Sequence, residues 1–370
     1  MSFELRIEPT GQTVEVEEDQ TLLDACLRAG VWLPHACCHG LCATCKVRVL
    51  DGEVAHGAAS PFALMDFERE EGQTLACCAT LQSDAVIEAD LDEDPDARIL
   101  PVRDFDAEVL AVTALTPTIR GIRLRLSDDS GQPLDFQAGQ YINLEIPGLE
   151  ARRAFSIASA PSLARGEREI ELQVRRVPGG AGTGWLHDAL QPGMALRLAG
   201  PYGRFFVRES AHQPNSPGGG QGLLFIAGGS GLASPRAMIL DLLERGCTQP
   251  ITLVVGQRSR EELYEHDEWL ARAEAHPNLT YLPVLSHEPD GSGWTGPRGW
   301  AHEAARDHFN GDFRGGPQGM KAYLCGPPAM IDAAITALMQ GRLFERDIHT
   351  EKFLSAADAQ SVRSPLFRSI

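Results

Sequence analysis

The sequence predicts three folded segments in succession: a small α+β domain, an antiparallel β-barrel and an α/β domain with a parallel sheet. The chain has 370 residues, too many for one ordinary domain. Short strand-like runs punctuated by glycine and proline fill its middle, which is typical of a barrel. After residue 222 strands alternate with helices, which is typical of a parallel sheet.

The first domain begins with a predicted hairpin, because apolar residues from Phe3 to Ile7 alternate with polar ones and the alternation resumes after Gly11. A short helix follows, with Thr21 as its N-cap and Gly30 at its end. Further strands are predicted at residues 46–50 and 85–89. This order of elements indicates a β-grasp domain.

Between the helix and the later strands lies a run of cysteines. Cys37, Cys42 and Cys45 have the spacing C-x4-C-x2-C, and Cys77 follows further along the chain. This is the plant-type arrangement of ligands for a 2Fe–2S cluster. Two ferric ions bridged by two sulfides need four more soft anionic donors, so the sequence predicts a cluster held by these four thiolates.

Zinc and disulfides are the alternatives to the iron–sulfur cluster. A structural zinc site favours two close C-x2-C pairs, and only Cys42 and Cys45 form one. Disulfides are typical of small secreted chains, whereas this chain is long and shows no signal-peptide pattern, so they are not favoured. Cys38 and Cys78 double two of the ligand positions, and the spacing favours their neighbours. A zinc- or cluster-stabilised interaction protein without turnover is the non-enzymatic alternative.

Composition and charge exclude some functions. No apolar run approaches the roughly 18 residues of a transmembrane helix, and the N-terminus does not resemble a signal peptide. We therefore expect a cytoplasmic protein without a membrane partner, monomeric on its own. The net charge is −18, and residues 1–100 carry 20 acidic against 6 basic residues. This argues against nucleic-acid binding; the acidic face either steers a basic partner or aids solubility.

The expected domain boundaries follow from composition. The first domain spans residues 1–93, and an acidic, proline-containing linker spans 94–103. The barrel spans 104–210, a Gly/Pro-rich loop 211–222, and the α/β domain 223–370.

Strands and two helices are predicted within the last two domains. The first helix spans Trp185–Leu190, after the glycine run. The second begins with Ser234 and Pro235 at its cap and first turn and runs to Arg245, where Gly246 stops it. The predicted strands are 109–112, 119–126, 141–146, 169–177, 194–199, 223–227, 251–255 and 322–325.

Two motifs in the barrel segment suggest a cofactor. In Arg153-Ala-Phe-Ser156 the arginine can clamp a pyrophosphate, the ring of Phe155 can stack on a planar group, and the serine can hydrogen-bond it. The run Gly179–Gly184 offers bare amides and the Thr183 hydroxyl to phosphates. Without each other, these motifs are explained equally well by core packing and a flexible turn.

Two further motifs lie in the α/β segment. Gly228–Ser234 falls between a strand and a helix, where a helix N-terminus attracts phosphate, although Ser234 occupies the third glycine position of a dinucleotide fingerprint. Cys325-Gly-Pro-Pro328 ends another strand of the same sheet, where open α/β sheets bind ligands. A single cysteine at such a place is more often a packing residue.

Together, in this order, the motifs resemble those of ferredoxin–NADP reductase-like electron transferases fused to an N-terminal ferredoxin. The chain is similar over nearly its whole length to reductase components of multicomponent phenol hydroxylases, which serve soluble diiron monooxygenases. The stretches that carry this resemblance are Ala59–Asp66, Phe225–Leu232, Tyr323–Ala334 and Arg342–Asp347.

The resemblance implies an FAD-binding barrel, a nicotinamide-binding α/β domain and a role for each motif residue. Cys37, Cys42, Cys45 and Cys77 would hold the cluster; Arg153, Phe155, Ser156, Gly180 and Thr183 would contact FAD; Gly229, Gly231, Arg258 and Gly326 would contact the dinucleotide; and Phe353 would lie near the flavin. Ser156, Cys325 and Glu351 would polarise and orient the reacting pair, none as a covalent nucleophile.

The expected function is therefore transfer of electrons from NADH through FAD and a 2Fe–2S cluster to the diiron hydroxylase of a phenol hydroxylase. A reductase of a toluene, alkane or ring-hydroxylating oxygenase is the alternative enzyme. Arg258 and Arg260 could bind the 2′-phosphate of NADPH, whereas Glu261 and Glu262 disfavour it. The resemblance favours NADH.

Overall fold

The structure, a computed structural model, describes residues 2–36, 38, 40–91, 94–209, 222–313 and 320–353. The chain divides into two compact units between Arg103 and Asp104. The expected loop at 211–222 lies almost wholly outside the described residues, as does Cys37. None of the described helices is long and apolar enough to cross a membrane.

The first unit is built on a five-stranded mixed sheet, in which β1 pairs antiparallel with β2 and parallel with β7. Its order is β2-β1-β7-β3-β5, and β4 and β6 form a separate two-stranded sheet. The elements are β1 Ser2–Glu8, β2 Gln12–Glu17, α1 Leu22–Arg28, β3 Lys46–Asp51, β4 Val54–Ala55, α2 Asp66–Glu70, β5 Gln73–Leu75, β6 Thr80–Leu81 and β7 Ala85–Glu88.

Local chemistry explains how this unit begins. Leu5 and Ile7 of β1 and Val16 of β2 are fully buried because the strand period of two places them on one face of the sheet. The Thr21 hydroxyl accepts the N–H of Asp24 at 3.3 Å and so caps α1 as predicted. The predicted β-grasp class is confirmed.

The second unit begins with a six-stranded antiparallel sheet of order β11-β10-β13-β8-β9-β12. An antiparallel bridge between Ile157 and Leu172 joins its two edges, so the sheet nearly closes into the predicted barrel. The elements are β8 Arg103–Ala114, β9 Ile119–Ser127, β10 Tyr141–Leu144, β11 Arg153–Ser156, α3 Pro161–Glu167, β12 Glu169–Arg175, α4 Ala181–Asp188 and β13 Ala195–Tyr202.

The rest of the second unit is a parallel sheet of order β16-β15-β14-β17-β18 with helices on both faces. The order reverses beside β14, so the carboxyl ends of β14 and β17 flank the crevice where such sheets bind ligands. The elements are β14 Gly222–Gly228, α5 Ala233–Glu244, β15 Ile251–Gln257, α6 His266–Ala275, β16 Leu279–Leu285, α7 Ala301–His308, β17 Met320–Gly326, α8 Pro328–Gln340 and β18 Ile348–Lys352.

Three local predictions differ from the structure. Ser234 does not cap α5; the N-cap is Leu232, and the Ser234 hydroxyl donates to Glu351 instead. Helix α4 begins at Ala181, inside the glycine run, earlier than the predicted start at Trp185. Helix α3 was not predicted, because its seven residues are too few for a helical period to be recognised.

Candidate functional site

Three residues predicted to be catalytic meet at one carboxylate. Glu351 Oε2 accepts the hydroxyl of Ser156 at 3.1 Å and the thiol of Cys325 at 3.6 Å. Cys325 and Glu351 are Cα partners on β17 and β18, which places both side chains on one face of the sheet. Ser156 reaches the same oxygen from β11 of the barrel. These three hydrogen-bonded side chains therefore join the barrel to the parallel sheet.

A fourth residue, which the sequence analysis did not assign to the site, completes this cluster. Ser234, in the first turn of α5, donates its hydroxyl to Glu351 Oε2 at 2.8 Å. Its Oγ also lies 3.9 Å from the Cys325 sulfur. Its position directly after the glycine-rich turn, beside the point where the strand order reverses, is the sequence feature that could have assigned it to the site.

Burial governs the protonation of Glu351 and Cys325. It raises the pKa of the Glu351 carboxyl above its ordinary value, while hydrogen bonds from Ser234, Ser156 and Cys325 act in the opposite direction. Burial, and then the charge of Glu351, raise the pKa of the Cys325 thiol well above its ordinary value. Cys325 is fully buried, and its raised pKa favours the protonated thiol, which is less reactive than the thiolate.

The glycine-rich turn after β14 packs directly against the end of β17. A Cβ added to Gly231 would lie 2.4 Å from the carbonyl oxygen of Cys325 and 2.6 Å from the Cα of Gly326. Gly229 has φ +60° and Gly326 has φ +147°, values that favour glycine. The backbone at the crevice is therefore bare, as close approach of a dinucleotide requires.

The barrel motifs lie together as predicted. The side chain of Arg153 on β11 passes the first turn of α4, where a Cβ on Gly182 would lie 3.4 Å from its Cγ. Thr183 Oγ1 accepts the N–H of Val177 at 3.0 Å and donates to the Gly180 carbonyl at 3.3 Å. The guanidinium of Arg153 donates from Nη1 to the carbonyls of Ala151 at 2.7 Å and Arg152 at 3.1 Å, so it is the stem of this side chain that passes the helix.

Two residues with predicted cofactor roles lie on either side of the crevice. The N–H of Phe353 donates to the carbonyl of Gly326 at 3.0 Å, so this ring follows directly from β18. Arg258 is exposed beyond the end of β15, and its carbonyl accepts the N–H of His287 at 2.8 Å. Glu262 faces the barrel, because its Oε2 accepts the hydroxyls of Thr116 and Thr118.

In the first unit, two of the predicted cluster ligands are brought together. The hydrogen bond between the Cys45 and Cys77 thiols, followed by burial, raises the pKa of Cys45 far above its ordinary value. The sulfur of Cys78 lies 3.6 Å from that of Cys77. Cys42 is exposed at the edge of the loop. Crowded buried thiols of this kind fit a site whose thiolates are stabilised by bound iron.

The loop also leaves no room for side chains at one glycine. Gly40 has φ +72°, and a Cβ there would lie 2.7 Å from the Cys78 sulfur. Within the described residues no three His, Cys, Asp or Glu side chains gather around a single metal position. The Cys45 and Cys77 pair would supply two of the four thiolates that a 2Fe–2S cluster needs.

A thiol loop, a glycine-rich helix start on a barrel and a bare turn at the crevice of a parallel sheet are the features expected of an electron-transfer flavoprotein. Three protein-family models match in the same order: a 2Fe-2S iron-sulfur cluster binding domain at residues 5–82, an oxidoreductase FAD-binding domain at 106–207 and an oxidoreductase NAD-binding domain at 225–336. The predicted fold class and the predicted FAD, 2Fe–2S and NADH cofactors are thereby confirmed.

Full-length relatives refine this class. The chain is 55% identical to the phenol 2-monooxygenase reductase component DmpP of Pseudomonas sp. (strain CF600) and 54% identical to the phenol hydroxylase P5 protein of Acinetobacter pittii (strain PHEA-2), over 100% of each chain. The crystal structure of the Amycolatopsis cytochrome P450 reductase GcoB has a TM-score of 0.83 and 37% identity, covering 96% of this chain and 99% of that one. The chain belongs to the family of oxygenase reductase components.

Proposed function

We propose that this protein is the NADH-dependent reductase of a multicomponent phenol hydroxylase, delivering electrons through FAD and a 2Fe–2S cluster to a diiron hydroxylase component. The observation that carries the proposal is the full-length similarity to two phenol hydroxylase reductases, at 55% and 54% identity. The meeting of Ser156, Cys325 and Glu351 at the crevice provides the chemistry it requires.

When bound, the flavin accepts a hydride from nicotinamide and releases single electrons to the cluster. We propose that the chain's own residues orient that exchange. The Ser156 hydroxyl, which donates to Glu351, would lie beside the flavin, and Cys325 would line the nicotinamide site. Glu351, whose pKa is raised by burial, holds or releases a proton beside both.

The remaining contacts are proposed from position. Arg153 and the first turn of α4, with Gly180 and Thr183, would hold the FAD pyrophosphate, and Phe155 would pack against the flavin. The turn with Gly229 and Gly231, the bare backbone of Gly326, and the side chains of Arg258 and Phe353 would line the NADH site. Cys37, Cys42, Cys45 and Cys77 would ligate the cluster.

The same proposal includes a monomeric chain whose domains span residues 1–93, 104–210 and 223–370, separated by a linker at 94–103 and a loop at 211–222. Two exposed apolar side chains lie at the cluster loop: Leu41, within the loop, is 46% exposed, and Phe62, on a neighbouring segment, is 78% exposed. Their segments are joined, since the N–H of Ser60 donates to the Gly40 carbonyl at 3.0 Å. Such a surface beside the cluster suits docking of the oxygenase component.

The other oxygenase systems are the alternative. Reductase components of propane 2-monooxygenase from Rhodococcus jostii (strain RHA1) and of the naphthalene 1,2-dioxygenase system from Pseudomonas putida are 32% and 30% identical to the chain. Both values fall far below those of the phenol hydroxylase reductases, which is why phenol hydroxylase is preferred.

An anaerobic absorption titration with NADH tests the electron path. Flavin and iron–sulfur bands that are both bleached by fewer than about two equivalents of NADH support it, because together the two groups store three electrons. Iron–sulfur bands that persist after the flavin is bleached contradict it. Reconstitution with the oxygenase component of the CF600 phenol hydroxylase then tests the partner: NADH-dependent phenol oxidation is expected, and its absence would favour another oxygenase.

A further inference from the structure

The segment Arg260–Glu265, between β15 and α6, leaves the parallel sheet and contacts the barrel; we name it the bridging turn. Glu262 Oε2 accepts the hydroxyl of Thr118 at 2.7 Å, and Glu265 Oε1 accepts the Nε2 of Gln173, on β12, at 2.9 Å. The turn is therefore fixed to the barrel at two separate points. Neither contact belongs to the cluster around Glu351.

A shielded ion pair holds the end of the bridging turn. Arg236, on α5, donates from Nε to Glu265 Oε2 at 2.8 Å, and the two side chains are 12% and 10% exposed. Its Nη1 donates to Glu171 Oε2 at 2.9 Å and to the Ala158 carbonyl at 2.7 Å, both in the barrel part of the unit. Glu265 has φ +53°, a left-handed conformation that persists only where contacts impose it.

Tyr264 carries the connection from the bridging turn to the glycine-rich turn. Its hydroxyl lies 3.1 Å from Gln173 Oε1 and 3.2 Å from the carbonyl oxygen of Gly229. The ring is almost wholly buried, and burial raises the pKa of its phenol well above the ordinary value, so the proton stays in place. Because Gln173 Nε2 is committed to Glu265, the amide is oriented with its oxygen towards Tyr264.

The single proton of the Tyr264 hydroxyl is shared between the oxygens of Gln173 and Gly229, so the Gly229 carbonyl accepts a three-centre hydrogen bond whose other acceptor lies on β12 of the barrel. Its other donor, Gln257 Nε2 at 3.3 Å, belongs to the parallel sheet. One backbone carbonyl at the crevice is thus positioned from both sides. A shift of the glycine-rich turn relative to the barrel would break the Tyr264 contact first.

We propose that Tyr264 is a positioning residue for hydride transfer: through Gln173 and the Gly229 carbonyl it sets the glycine-rich turn in register with the flavin-binding barrel. This inference rests on the proposed function. Tyr264 touches neither cofactor in this role. The Arg236–Glu265 ion pair keeps the barrel and the sheet together, and Tyr264 sets the final placement of the dinucleotide turn.

The variant Tyr264→Phe tests this proposal, since it keeps the ring and removes only the hydroxyl. Flavin reduction is followed by anaerobic stopped-flow absorbance of the purified holoenzyme. At saturating NADH we expect the rate to fall roughly tenfold or more, because misplacement of reacting groups by a fraction of an ångström slows transfer steeply. FAD content, iron content and melting temperature should stay close to wild type. Gln173→Met, which removes the other partner of the phenol, should slow the same step.

Tyr281→Phe is the matched control, because Tyr281 is a buried tyrosine of the same sheet whose hydroxyl lies 3.3 Å from His266 Nδ1, away from the glycine-rich turn. It should leave the rate unchanged. Equal rates in wild type and Tyr264→Phe would overturn the proposal, as would a rate loss that merely follows lost FAD. A wild-type protein whose flavin is not reduced by NADH would instead overturn the proposed function itself.

Discussion

Glu351 Oε2 lies 2.8 Å from the hydroxyl of Ser234, although 117 residues separate them in the chain. The contact links β18 to the first turn of α5, directly behind the glycine-rich turn. Because Ser156 donates to the same oxygen from the barrel, one carboxylate contacts both cofactor-binding parts of the second unit. Substitution of Glu351 should therefore affect both stability and chemistry.

We expect Glu351→Gln to change the pH dependence of stability. Burial raises the pKa of Glu351, so between the ordinary glutamate value of about 4.3 and the raised folded value the folded chain keeps a proton that the unfolded chain releases. This group's contribution to stability is complete below that interval and is lost as the pH rises through it. The melting temperature of the variant minus that of wild type should increase with pH and then level off.

Calorimetry at a series of pH values measures this difference, with Ser162→Ala as control because Ser162 bonds the exposed Glu244 far from the site. A difference that stays constant with pH would contradict the assignment. The same Glu351→Gln protein should reduce its flavin about a hundredfold more slowly, the lower end of what a positioned proton-transfer group contributes.

Cys325 should be inert to alkylation. The thiol is fully buried and its raised pKa keeps it protonated, whereas the thiolate is the reactive form. After treatment of the folded protein with iodoacetamide at neutral pH, peptide mass spectrometry should find Cys325 unmodified and NADH oxidation intact. Cys247, which is partly exposed, is the internal control and should be labelled. Labelling of Cys325 at a comparable rate would show that it is a reactive nucleophile.

Much of this organisation could be predicted from local sequence. The hairpin, the Thr21 cap and the cysteine spacing are set by residues close in the chain, and each predicts its own geometry. The Ser234–Glu351 contact and the bridging turn could not be predicted, because they depend on which strands become neighbours. A serine caps a helix when it directly precedes the first turn; here α5 begins at Ala233, so Ser234 lies inside the first turn and its hydroxyl donates to a carboxylate that is distant in the chain.

Substitution can distinguish which of the neighbouring residues Cys77 and Cys78 is a ligand of the iron–sulfur cluster. Cys77 is hydrogen-bonded to Cys45, whereas Cys78 is wedged against Gly40. We expect Cys77→Ser to lose or strongly perturb the iron–sulfur absorbance and iron content, and Cys78→Ser to retain both. Iron analysis and visible spectra of the two purified proteins measure this. The opposite pattern would make Cys78 the ligand.

The glycine-rich turn offers a steric test. In Gly231→Ala the new methyl would lie 2.4 Å from the Cys325 carbonyl oxygen, and backbone rather than a flexible side chain must move. We expect a loss of about 1–3 kcal/mol in stability and a marked rise in KM for NADH. Gly184→Ala is the control, because its Cβ would meet nothing within 4 Å. Similar stability and KM in both variants would show that the turn is not closely packed.

Substitutions on the surface beside the iron–sulfur cluster should slow electron delivery to the oxygenase component and leave the reaction with NADH unchanged. Phe62 is 78% exposed on a segment hydrogen-bonded to the cluster loop, so removing its ring costs the folded chain little buried area. We expect Phe62→Ala to weaken electron delivery to the oxygenase component several-fold, because an exposed aromatic side chain is a frequent anchor of an interface. NADH-dependent reduction of ferricyanide by the same protein should be unchanged.

Phe344→Ala is the control variant, because its ring is 65% exposed in the second unit, and it should leave both rates at the wild-type value. If Phe62→Ala supports phenol oxidation at the wild-type rate over a range of oxygenase concentrations, the docking surface lies elsewhere.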